Sequence, residues 1–226
     1  MDNLELICVL ITELFPLIAT MFSLIYGLRK FFKKGKPLFL QSLTMAMASH
    51  SLGSVYHLCQ SLTSETLVEG FTPAYLGRIG FFLFIITANY GQLSRIVDDG
   101  SAKMRPARLI AFIAPVLALL LYVSNALIAE TPISTKVSYA LVWIPAIISV
   151  YFSLKHTLIP NLDFGFIKAL KPFNILSLAL SFSELLCLTA WNYYYEIPLA
   201  ISAIVFGILC VCTMLAANKG VEKWTI

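Results

Sequence analysis

The stretch Met45-Ala-Met-Ala-Ser-His50-Ser-Leu-Gly-Ser54-Val-Tyr56-His57 lies within an apolar run over residues 38–63, and its reading decides the fold. His50, Ser54, His57 and Ser61 recur at helical spacing, which puts them on one face of a helix. A helix that is apolar elsewhere turns such a stripe away from lipid, towards protein or water. Function therefore depends on what faces the stripe.

Working outward, the composition agrees with a bilayer protein. Hydrophobic residues make up 59% of the 226 residues and charged ones only 12%, against about 25% charged in soluble domains. The net charge of +4 is gathered in a few short loops, which assigns it to membrane topology and excludes nucleic acid as a partner. The five cysteines (Cys8, Cys59, Cys187, Cys210, Cys212) fall in or at the ends of apolar runs without a CxxC pair. They read as small membrane-embedded hydrophobes. The start, Met1-Asp-Asn-Leu-Glu-Leu, lacks the basic region of a cleaved signal peptide and reads as part of a retained helix.

A hydrocarbon core about 30 Å thick needs roughly 20 apolar residues per helix. Segments near 5–28, 38–63, 73–94, 107–129, 137–158, 172–193 and 197–217 meet that length, predicting a single all-α integral membrane domain of seven transmembrane helices over 1–226. Of the 16 Lys and Arg, all but Arg78 and Lys136 fall in the first, third and fifth loops and the tail. The positive-inside rule then places the N-terminus outside and the C-terminus in the cytoplasm. The absence of an Asn-x-Ser/Thr site favours a bacterial plasma membrane as the location.

Helices 1–3 (residues 1–95) and 5–7 (137–220) align as a repeat, with helix 4 (107–129) as linker. Phe15-Pro16 matches Ile144-Pro145, Lys36-Pro37 matches Lys171-Pro172, and Ala88-Asn89-Tyr-Gly91 matches Ala217-Asn218-Lys-Gly220. In this register Ser49 meets Glu184, Tyr56 meets Trp191 and His57 meets Asn192. Both units begin outside, so the repeats are parallel. This plan resembles the 3+1+3 layout of SWEET and PQ-loop small-solute transporters, and opsins share it broadly. The resemblance implies hinge roles for Pro16, Pro37, Pro145 and Pro172. It stays at the level of topology: Leu17 and Ala146 stand where a PQ-loop protein has glutamine, and Lys219 falls too near the helix end for a retinal lysine.

At about 1.5 Å per residue His50 and Glu184 reach similar depths near midplane on helices 2 and 6. They are expected to border a polar cavity together with Ser54, Ser181 and Asn89, binding a small solute or exchanging a proton with it. A buried pair that only fixes helix packing is the alternative. Glu13 and Arg78 form a second expected pair, for gating or coupling, or else snorkel to the interface. Pro16 and Pro145 serve as kinks. Tyr56 and Trp191 sit at matched positions near the outer end, to stack on a ring-bearing solute or to pack. His57 belongs to the outer vestibule. Asn89, Tyr90, Gln92, Arg95, Asp98 and Asp99 mark either a cytoplasmic latch or ordinary interfacial charge.

Metal chemistry is disfavoured because His50 and His57 stand about 10 Å apart along the helix, too far to share one ion. No phosphate-binding loop, dinucleotide motif or nucleophile elbow is present. No metal, cofactor or enzymatic activity is expected. The sequence points to a small-solute secondary transporter, working as a monomer or homo-oligomer. A seven-helix sensor that binds a ligand in the same cavity and signals through a partner is the alternative. An intramembrane hydrolase or an accessory membrane subunit fits less well.

Overall fold

The computed structural model describes residues 3–34, 36–63, 70–89, 98, 100–158, 165–192 and 196–222, and within them every side chain except those of residues 3, 5, 6, 61, 165–169, 191, 192 and 196. The described residues form seven helices without strands: α1 (Asn3–Phe31), α2 (Leu38–Thr63), α3 (Pro73–Ala88), α4 (Ala102–Ile128), α5 (Ile133–Leu158), α6 (Gly165–Asn192) and α7 (Glu196–Glu222). Helix α4 opens with a 3-10 turn at Ala102–Met104 and is interrupted at Phe112 between its two α-helical segments.

Five of the seven, α1, α4, α5, α6 and α7, are long and apolar enough to cross a membrane. Helix α2 has the length, at 26 residues, but carries the polar stripe. Helix α3 is apolar over 16 residues, and positions 90–94 of the span expected there lie outside the described residues. Pro73 occupies the first turn of α3, where its missing N–H costs no helical hydrogen bond. Pro16 and Pro145 are inside α1 and α5, as a kinking role requires. Helix α6 starts at Gly165 rather than at 172, so Pro172 is interior as well. The preceding Ile-Lys-Ala-Leu-Lys is a good helix former, which outweighs the one hydrogen bond that proline removes.

Side-chain contacts fix the directions of the helices. Glu13 meets His57, and Ser49 meets Gly77, so α1 runs against α2 and α2 against α3. Tyr75 packs on Tyr139 while Asn89 reaches Ser153, so α3 and α5 are parallel. Phe39 packs on Phe173 and His50 approaches Glu184, so α2 and α6 are parallel too. Phe15 lies against Gly207 and Gly27 against Met214, which makes α1 and α7 parallel. Consecutive helices thus alternate, and the start of α1 and the end of α7 lie at opposite ends of the bundle.

Neighbour contacts close a ring in the order α1, α2, α3, α5, α6, α7, with α4 outside it, packed chiefly on α5. The core is a belt of large apolar side chains inside that ring, among them Trp143, Phe81, Phe206, Phe39 and Phe173. Outward faces carry exposed Leu, Ile, Val and Phe along all the spans, as a lipid-facing surface does. The α2–α3 crossing is the tightest. A Cβ on Gly77 would stand 2.5 Å from the Gly53 Cα and 2.7 Å from the Ser49 carbonyl oxygen, so only glycine fits. Small residues one turn apart let two backbones touch, and dispersion contacts replace the hydrophobic effect that lipid cannot supply.

Candidate functional site

Inside the ring, towards the end where α1 begins, is a cavity of about 40 Å³. At 10–15 Å³ per water position it has room for about three water-sized molecules. Thr12, Glu13 and Pro16 of α1 line it together with the α2 stripe of His50, Gly53, Ser54 and His57. Ala74 and Arg78 of α3, Glu184 and Cys187 of α6, and Leu199, Ala203 and Phe206 of α7 complete the wall. Proline at position 16 leaves the Thr12 carbonyl without its helical donor, which frees one more acceptor at this wall.

The charged groups form two tiers. Nearer the mouth, His57 Nδ1 lies 3.1 Å from Glu13 Oε2, with side chains 24% and 17% exposed. Deeper, Glu184 stands between Arg78 and His50: Arg78 Nε is 3.0 Å from Oε1 and His50 Nε2 is 3.5 Å from Oε2. His50 and Glu184 are buried, whereas Arg78 retains some exposure. These deep contacts are close ion-pair approaches, and among the described residues His50 Nε2 and Glu184 Oε1 have no other hydrogen-bond partner. The opposite ring nitrogen, His50 Nδ1, is 3.2 Å from Ser54 Oγ. Phe206 and Phe81 hold the imidazole from two sides, with ring centroids 4.6 and 5.3 Å away. With both histidines neutral, the two carboxylates and the one guanidinium sum to −1.

Below this cavity, a second polar cluster occupies the junction of α3, α5 and α6. Ser149 Oγ is 3.0 Å from Ser181 Oγ, and Ser153 Oγ is 3.1 Å from Ser177 Oγ. Asn89 Nδ2 donates to Ser153 Oγ at 3.2 Å and to Ser177 Oγ at 3.5 Å. All five side chains are fully buried. At the far end of α5, Asp98 joins two helices: Lys155 Nζ is 3.3 Å and Arg108 Nε 3.4 Å from its Oδ2.

The expected His50–Glu184 pairing is present, and Ser54 and His57 line the same cavity. The expected Glu13–Arg78 pair is replaced: Glu13 meets His57, and Arg78 meets Glu184. Tyr56, 42% exposed, points away from the cavity, since adjacent helical residues are about 100° apart. Ser181 and Asn89 belong to the serine cluster rather than to the cavity wall. The Trp191 side chain and residues Tyr90, Gln92, Arg95 and Asp99 lie outside the described residues. Sequence reasoning missed Ser149 and Ser153, although their spacing with His156 along α5 repeats the helical period that picked out the α6 stripe. It also missed Gly53 and Gly77, whose signal is small residues facing each other across a crossing.

Fold and site together define a multi-pass helical membrane protein with a charged cavity inside its bundle. Compared with known proteins, the chain matches no family model, no curated protein and no solved structure.

Proposed function

We propose that the protein is a small-solute secondary carrier, coupled to protons, with a binding site between two parallel three-helix repeats. The reading has seven transmembrane helices, the N-terminus outside and the C-terminus in the cytoplasm of a bacterial plasma membrane. The observation that carries it is the Arg78–Glu184–His50 cluster at the base of the cavity. A charged residue at mid-bilayer costs about 2.5–3.5 kcal/mol on insertion scales, so such groups inside a bundle mark ion or solute paths. The cluster also joins the two halves, with His50 and Arg78 from helices 1–3 and Glu184 from helices 5–7. Contacts between the halves run chiefly through α3–α5 and α7–α1, which a two-fold axis would exchange, and this supports the repeat. A cavity of about 40 Å³ is far below the 300–1,000 Å³ of organic-ligand pockets, so anything larger than a small ion needs the halves to part. That need is what an alternating-access carrier provides.

The test is uptake by proteoliposomes of a panel of sugars, amino acids and vitamins, with and without an imposed pH gradient. Saturable, gradient-dependent uptake is expected, with Glu184→Gln abolishing the dependence on the gradient. Saturable binding without flux would replace the carrier with a seven-helix sensor. Uptake by Glu184→Gln with unchanged pH dependence would reduce Glu184 to a packing residue.

A further inference from the structure

We propose that the serine cluster between α3, α5 and α6 is a proton route connecting Glu184 with the basic end of the bundle. It rests on the carrier reading in taking Glu184 as the proton-binding group of the cavity.

The groups are stacked along two facing helices. On α6, Glu184, Ser181, Ser177 and Asn174 follow one another at steps of three and four residues; on α5, Ser149, Ser153 and His156 do the same. From Glu184 to Asn174 the helix rises about 15 Å, half the thickness of a hydrocarbon core of about 30 Å. The two Ser–Ser hydrogen bonds cross between these ladders at successive levels. Asn89 donates to both hydroxyls of the lower pair, so one of those two hydroxyl protons serves the Ser–Ser bond and the other is free to donate onward.

Orphaned polar atoms mark the continuation. Among the described residues, His156 Nδ1 and Nε2, Asn89 Oδ1 and Asn174 Oδ1 are buried without a hydrogen-bond partner. Buried polar groups are satisfied by water or ligand where protein does not reach them. Packing alone explains neither an imidazole 2% exposed with both nitrogens unpartnered among the described residues nor its position at the end of a hydroxyl ladder. Phe81 and Phe206 pack on each other and Phe206 on His50, with ring centroids 5.8 and 4.6 Å apart, and the ladder beside Glu184 offers a polar way past them.

The proton balance is simple. The carboxyl O–H of Glu184 breaks towards the Ser181 level. Each hydroxyl or water accepts a proton on a lone pair and releases its own. His156 accepts at one ring nitrogen and releases from the other, and solvent at the basic end gains the proton. Glu184 is left as a carboxylate facing Arg78 from α3 and His50 from α2, with the Cys187 and Cys210 thiols on α6 and α7. His156 has Lys155 and Asp98 as charged neighbours.

Proteoliposomes loaded with pyranine, and given a potassium diffusion potential with valinomycin, report proton entry directly. The wild type is compared with Ser153→Ala/Ser177→Ala, with His156→Gln and with Ser153→Thr, which keeps the hydroxyl. Proton entry is expected to fall at least tenfold in the first two, to survive in Ser153→Thr, and to leave solute exchange at equal pH intact. Proton entry that is absent from the wild type, or undiminished in His156→Gln, overturns the route. An equal fall of proton entry and solute exchange also overturns it, making the cluster a packing seam. If the panel of solutes is not moved but proton entry depends on the ladder, the carrier reading fails and the route stands. Gradient-driven solute uptake that is indifferent to the ladder has the reverse meaning.

Discussion

Arg78→Leu is the sharpest perturbation of the buried cluster. In the protein its Nε is 3.0 Å from Glu184 Oε1, and the carboxylate is 2% exposed. Removing the guanidinium leaves that charge facing the His50 imidazole at 3.5 Å. Deleting one partner of a buried ion pair costs about 3–5 kcal/mol, most of it the desolvation of the group left behind. A chain of this size moves its Tm by about 2–4 °C per kcal/mol, so a drop of about 6–20 °C is expected. Cys187 and Cys210 are free and buried, and a thiol-reactive fluorogenic dye reports their exposure on heating in detergent. Arg78→Lys should recover part of the loss, since it restores the charge without the planar fork. Combining Arg78→Leu with Glu184→Leu should cost less than the two single changes added together, because no charge is then stranded. The partly exposed Glu13 gives the contrast: Glu13→Gln should cost about 1 kcal/mol or less. An Arg78→Leu protein melting within a degree or two of wild type would mean that Arg78 does not neutralise Glu184, and the site as described would be wrong.

Two further outcomes follow from packing and topology. Gly77→Val should lower stability by about 1–3 kcal/mol or prevent folding, as overpacking does, because its Cβ would meet backbone atoms of α2; a wild-type melting curve would show that α2 and α3 do not touch there. In a chain retaining only the exposed Cys59, near the end of α2, a membrane-impermeant maleimide should label intact cells, as an outside N-terminus requires. Labelling only after the membrane is permeabilised would reverse the orientation.

Much of this architecture is legible in the sequence because hydropathy and helical period are local signals. Runs of apolar residues mark the spans, and two polar stripes at the same depth bring His50 towards Glu184. Depth along a helix follows from counting residues; rotation about its axis does not. Arg78 and Glu13 have opposite charges and similar expected depths, so pairing them is reasonable on depth alone. Their true partners follow from azimuth, and Gly77 sets it. Its lack of a side chain lets α3 press against Gly53 of α2, and the next residue, turned by about 100°, then faces across the ring to α6. The same rotation carries Tyr56 to the outside while His57 faces Glu13.

Ser181 and Asn89 show the complementary limit. Each has the polarity and depth of a cavity residue, yet the hydroxyls of α5 draw them into a different site. Serine on a membrane helix ordinarily satisfies itself on the carbonyl four residues back, as Ser51 and Ser138 do here. Ser149 and Ser153 instead pair across helices with Ser181 and Ser177, a choice that needs both helices to present hydroxyls at matching levels. Two such matches in succession, with Asn89 donating to the second and His156, unpartnered among the described residues, beyond it, separate the cluster from incidental polarity. A cavity closed below by phenylalanines and a hydroxyl ladder passing beside them are what a bundle needs if a proton and a solute are to leave Glu184 by different ways.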